Sequence, residues 1–146
     1  MQNMAVESGL EELKKRLMED WSYPDVVALA VARSKSSQFT SWVTRWSEVM
    51  WEFRQLTNGA APELTEDIYF DLRDPNAPLS LEVEGLLAGF RRSGVFFRPY
   101  PGQGVYMITP EARQSIRDGQ SLVLKRYEGQ IAILTGMIDQ KLAVEG

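Results

Sequence analysis

Apolar positions along this chain recur mostly at the three-four spacing of helices. Ser8 and Glu11 stand at capping-box spacing, and Leu10, Leu13 and Leu17 follow as a narrow stripe ending near Asp20. That pattern predicts a short amphipathic helix. Ser22-Tyr23-Pro24-Asp25 opens a second helix, with proline in its first turn and an acid at the dipole-favoured end. Residues 26–32 are apolar on every side, which predicts a place at the centre of the core. In a third helix, Phe39, Trp42, Val43, Trp46, Val49, Met50, Phe53 and Leu56 keep the spacing for almost five turns, and Asn58-Gly59 ends it. Trp42 and Trp46 fit either core packing or the lining of a ligand pocket or dimer face. Trp51 lies off the stripe and is a candidate partner contact. A fourth helix is predicted over 64–72, with Leu64, Ile68 and Leu72 on one face and Glu63, Asp67 and Asp71 on the other. Three aligned carboxylates could hold a hard cation, but an oxygen-only site usually draws more ligands from a shaped loop, so a solvated face is expected.

Residues 80–116 organise the rest. Leu81, Val83, Leu86, Leu87 and Phe90 share helical spacing, and Gly94 stands where the helix would stop. Two short apolar runs, 95–98 and 105–108, flank the breaker cluster Pro99-Tyr100-Pro101-Gly102-Gln103-Gly104 and predict a hairpin. Thr109 and Pro110 then supply an N-cap and first helical residue. Beyond Gly119, the residues Val123, Tyr127, Ile131, Leu134, Ile138 and Leu142 repeat at near-heptad spacing. That last helix can pack on its own domain or pair with a second copy. The predicted class is mostly α with a small β-hairpin: a winged helix-turn-helix with additional N-terminal helices and a long C-terminal helix. It forms one domain, with N-terminal helices over 1–59, helix-turn-helix and wing over 60–116, and the C-terminal helix over 117–146.

At 146 residues, with 44% apolar and 25% charged, the chain can bury a real core. It has no cysteine and no histidine, which removes thiolate nucleophiles, imidazole bases and Cys/His zinc sites. No carboxylate pair stands at a diagnostic spacing and no serine has an evident activating base, so neither an enzyme nor a cofactor or metal site is expected. Met1 to Ala5 leads into charged sequence rather than a signal-peptide core, and the longest apolar run, 26–32, is far too short for a bilayer. A cytoplasmic protein with no membrane partner is the expectation. The net charge of −4 divides unevenly, −5 over residues 1–80 and +1 over 81–146, so a polyanion would meet the C-terminal half.

The run Gly85-Leu86-Leu87 through Arg91-Arg92-Ser93-Gly94-Val95, followed by Gly104-Val105-Tyr106-Met107-Ile108-Thr109-Pro110-Glu111, resembles winged-helix regulators of the MarR and PadR type. The resemblance covers about half the chain. It implies that the fourth and fifth helices form the helix-turn-helix, with 80–93 as recognition helix and 95–108 as wing. It further implies double-stranded DNA as partner, with Arg91 and Arg92 on phosphate from the helix and Arg98 and Gln103 from the wing. A homodimer through the C-terminal helix, using Tyr127, Ile131, Leu134 and Ile138, goes with it. The pattern departs from a DNA reader where Glu82, Gly85 and Gly89 face outward, and Tyr100 at the wing tip could stack on a protein. Two functions follow as expectations: a DNA-binding transcriptional-regulator-like protein, and a winged-helix module for protein–protein contact or adaptor work without DNA.

Overall fold

The computed structural model describes residues 23–57, 59–74, 76–99, 103–119 and 121–144. The helix expected over residues 8–20, the side chain of Val123 and the whole of Tyr100 lie outside them. The described chain is mostly helical with a small antiparallel sheet. Its order is α1 (Tyr23–Arg33), β1 (Gln38–Thr40), α2 (Val43–Thr57), a 3-10 turn (Pro62–Leu64), α3 (Leu81–Ser93), β2 (Val105–Met107), α4 (Pro110–Gly119) and α5 (Ser121–Lys141).

Helix α1 is the hub its sequence predicts. Every residue from Val26 to Ala32 is buried, and the helix packs on α4 and α5. The carbonyls just beyond its C-terminal end are not left to solvent. The Arg113 guanidinium on α4 donates to the carbonyl oxygens of Ser34 (3.2 Å) and Ser36 (2.6 Å), and the Ser34 hydroxyl donates to Asp139 on α5. A cation at a helix C-terminus also meets the negative end of the dipole. Burial, then nearby Arg117, lowers the Arg113 pKa from its ordinary value, while Asp139 opposes the shift.

The expected third helix is divided. Phe39 lies in β1, not in a helix, and α2 begins only at Val43. Trp46, Val49, Met50 and Phe53 are buried as the stripe predicts, but Trp42 is 62% and Leu56 60% exposed. The three-four spacing ran on past the true start because Phe39, buried through a strand, stands three residues before Trp42. The Thr40 hydroxyl accepts the Trp42 N–H (3.2 Å), and the Trp46 indole N–H donates to the Thr40 carbonyl (2.7 Å), so the corner between strand and helix is fixed by local bonds.

The helix expected over 64–72 does not form. Pro62–Leu64 makes a 3-10 turn, and Asp71 pairs with Leu79 in an antiparallel bridge. Leu64 and Ile68 are still buried, so the i, i+4 pattern reported burial without reporting a helix. Thr65, Ile68, Tyr69, Phe70 and Asp71 are weak helix formers, and nine residues are too few to nucleate against that. The carboxylate strip is broken up as a result. Asp71 accepts from the Nε and Nη2 groups of the Arg73 side chain, and Glu63 accepts from the Tyr127 hydroxyl (3.1 Å).

Strands β1 and β2 pair antiparallel with Phe39 opposite Tyr106. On the far side of β2, Phe97 bridges Met107, and beside β1 Ala143 bridges Phe39. The segment expected to be a hairpin therefore does fold back on itself, but the main ladder of β2 is with β1. Phe96 is the centre of this end of the core. Its ring stacks on Tyr106 (5.2 Å between centroids) and meets Phe39, Trp46 and Phe90 within 5.4–5.8 Å.

The C-terminal helix spends its apolar face inside the chain. Tyr127, Ile131, Leu134 and Ile138 are all buried, against α1 and α2. This corrects the expected dimer surface: a face with no exposed area cannot also cover a second copy. The heptad-like spacing is explained by two neighbouring helices of the same chain. The helix is also interrupted at Tyr127, whose φ of −122° and ψ of 29° are not helical.

Candidate interaction surface on helix α3

Helix α3 is the best-defined surface element. The Ser80 hydroxyl caps it by accepting the Val83 N–H (3.3 Å), and Ser80 is itself anchored by its N–H to the Ser47 hydroxyl (3.2 Å). Gly94 closes it in the left-handed conformation, φ 84°, which a residue with a Cβ enters only at a cost. Val83, Leu86, Leu87 and Phe90 are buried, and Arg91 and Arg92 stand in the last turn, where cations suit the dipole.

The outward side holds little that could read a base edge. Gly85 is exposed, Gly89 half-buried, and neither has a protein atom within 4 Å of where a Cβ would sit. Leu81, which shares the helical spacing of the buried stripe, is 75% exposed. Beside it, in the loop that replaced the expected fourth helix, Tyr69 is 71% exposed, with Leu72 and Leu79 also outside. The Tyr69 N–H donates to the Glu82 carboxylate (3.1 Å), which holds this loop against the first turn of α3. The Tyr23 hydroxyl donates to the Glu82 carbonyl oxygen (3.2 Å) from the start of α1. Burial, followed by the charges of Glu82 and Asp67, raises the Tyr23 pKa above its ordinary value. Between Tyr23 and Pro24 on one side and Gly85, Gly89 and Phe90 on the other lies an open, mainly apolar cleft of about 460 Å³.

The predicted DNA contacts are spread over two elements. Arg91 and Arg92 are exposed on α3, with no ion pair among the described residues. Arg98 is exposed, but its guanidinium lies 5.3 Å over the Tyr106 ring and donates to the Tyr106 hydroxyl at 3.4 Å, so part of its face is engaged. Gln103 is exposed beside Gly104, whose φ of 66° turns the chain against Trp42. Trp51 is half-buried, edge-on to Phe70 at 5.1 Å, and Trp46 is fully inside. Trp42 and Trp46 therefore line no common pocket.

Sequence reasoning missed two features. Arg113 was a surface cation by composition and is a helix clamp by geometry. The exposed group Tyr69–Leu72–Leu79–Leu81 was hidden because two of its members, Leu72 and Leu81, fitted helical stripes. The signal that could have found it is the density of large apolar residues around Pro75 and Pro78, where no long element fits. The described residues include no helix long and apolar enough to cross a membrane. Compared with protein-family models, curated proteins and solved structures, the chain matches none.

Proposed function

We propose that this chain is a winged-helix-type interaction module that takes a protein partner on the outward side of α3. The order α1–β1–α2–α3–β2, with β2 lying between β1 and Phe97, supports a winged helix in which α2 and α3 form the helix-turn-helix. One observation carries the partner reading. The surface at the head of α3 offers Leu81 and Tyr69, both about three-quarters exposed, around Glu82 and two glycines. Large apolar side chains held in a fixed loop bind apolar protein surface, whereas phosphate needs cations at that place. The test is quantitative affinity capture from the cells that make the protein, with the full chain against its Leu81→Lys and Tyr69→Lys variants as bait. A partner retained by the parent and lost by both variants supports the reading. Equal capture by all three refutes it.

A second reading, DNA binding, is favoured by Arg91, Arg92 and Arg98, which all stand exposed toward the α3 C-terminus and wing. It requires binding to mixed duplex DNA at low salt, with a salt slope that falls by about one for each phosphate-contacting arginine removed.

A further inference from the structure

The outward row of α3 has the same spacing read from either end and opposite charges at its two ends. Glu82, Gly85, Gly89 and Arg92 fall within about 80° of arc on the side opposite Leu87, which is buried. Glu82 and Arg92 are each about 7.5 Å from Leu87 along the axis, in opposite directions, and the two glycines are each about 3 Å from it. Both charges are available on this side. The Tyr69 N–H donates to the Glu82 carboxylate (3.1 Å) and so fixes its place, and Arg92 is exposed with no ion pair among the described residues. Between them, neither glycine has a described atom within 4 Å of a Cβ position. A second backbone can therefore come nearer than the ~8–10 Å usual between packed helices. Apolar surface borders the row, with Leu86 and Phe90 in the cleft along one side and Leu81, 75% exposed, at its head.

We propose that α3 pairs antiparallel with α3 of a second copy of this chain, about a two-fold axis that passes opposite Leu87. The inference rests on the protein-partner reading above and names the partner. Charge selects this occupant and its direction. In the antiparallel pair Glu82 meets the partner's Arg92, and Arg92 meets the partner's Glu82, so one self-complementary contact is made twice. A parallel pair would set glutamate on glutamate and arginine on arginine. Gly85 lies against the partner's Gly89, and Leu81 packs on the last turn of the partner's helix. One helix and one loop from each chain give an interface at the small end of the specific range, so the pair dissociates at micromolar concentration. Pairing also covers Arg92, so a paired chain cannot lay this face on phosphate.

Sedimentation equilibrium of the full chain, from micromolar to millimolar concentration, reads the pair. The parent is expected to pass from monomer to dimer. Glu82→Arg alone and Arg92→Glu alone each bring like charges together at both symmetric contacts, which is expected to weaken self-association about tenfold. Mixing these two variants is expected to restore association in a mixed dimer, because one chain then carries arginine at both positions and the other glutamate. Damage to the fold of either chain would not be repaired by mixing. Gly85→Gln and Gly89→Gln add side chains that strike nothing described in their own chain, and are expected to abolish pairing with circular dichroism and the urea midpoint undiminished. These two variants decide the matter if Glu82→Arg, which also alters the contact with Tyr69, does not fold. A parent that stays monomeric to millimolar concentration overturns the second copy as partner. Association equal in every variant, or a mixture no better than its components, overturns it as well. Affinity capture with the parent, Leu81→Lys and Tyr69→Lys then separates the two ideas. A different polypeptide lost by both variants leaves the protein-partner reading standing without the pair, and equal capture removes both.

Discussion

The packing at the sheet end of the core makes a sharp prediction from two adjacent phenylalanines. Phe96 is 1% exposed and touches four aromatic rings, whereas Phe97 is 41% exposed at the sheet edge. Cutting a buried phenylalanine to alanine costs about 3–5 kcal/mol, because transfer energy is lost and a cavity remains among stiff neighbours. Phe96 should lie at the upper part of that range, since ring contacts are worth about 0.5–1.5 kcal/mol each beyond area. Phe97→Ala should cost about 1 kcal/mol or less. With a urea m-value of about 2 kcal/mol/M, Phe96→Ala shifts the midpoint down by about 2 M and Phe97→Ala by under about 0.5 M. Urea unfolding followed by circular dichroism and by tryptophan emission reads both, and Trp46, 5.8 Å from Phe96, reports the site directly. Equal losses, or a larger loss for Phe97, would refute the reasoning. In a strand a slip of one residue exchanges the inner and outer side chains, so that result would place the segment in the other register.

Other consequences are smaller in scope. Thr65 has the buried hydroxyl that lacks a partner among the described residues, so Thr65→Val should raise stability by about 1 kcal/mol in the same urea assay. Ser80→Ala removes the α3 cap and should cost about 1 kcal/mol. Tyr23 and Tyr127 both have pKa values raised in the folded chain, so folding holds their protons more tightly. The stability they supply is whole below the unfolded tyrosine pKa, about 10, and is lost as pH rises through the higher folded values. Ultraviolet titration should find these two among the last tyrosines to ionise, and Tyr23→Phe should blunt the alkaline loss.

Much of the helical core was legible in the sequence. The uniform apolarity of residues 26–32 could mean little else, and Gly94 and Ser80 mark the ends of α3 through chemistry that only helix termini need. What was not legible depends on partners distant in the chain. Whether Ile131 and Ile138 face a sister helix or a second copy is decided by the placing of α1 and α2, which spacing does not encode. Phe39 was assigned to a helix because three residues separate it from Trp42, and its true strand partner, Tyr106, lies far along the chain. Leu81 and Leu72 satisfied helical stripes and are outside, since periodicity marks one face of an element without saying whether anything covers it. The candidate site sits where those misreadings meet. The arginines were visible in advance, and the exposed apolar loop beside Glu82 was not.

What lies against the outward side of α3 can be read in one experiment. A benzophenone side chain is placed at position 81 of the full chain, where Leu81 is 75% exposed and its exchange leaves the core intact. The protein is irradiated in the cells that make it, and adducts are identified by mass spectrometry. The account predicts polypeptide adducts, from a protein partner. Adducts confined to nucleic acid would contradict it and leave the arginines of α3 and the wing as the working surface.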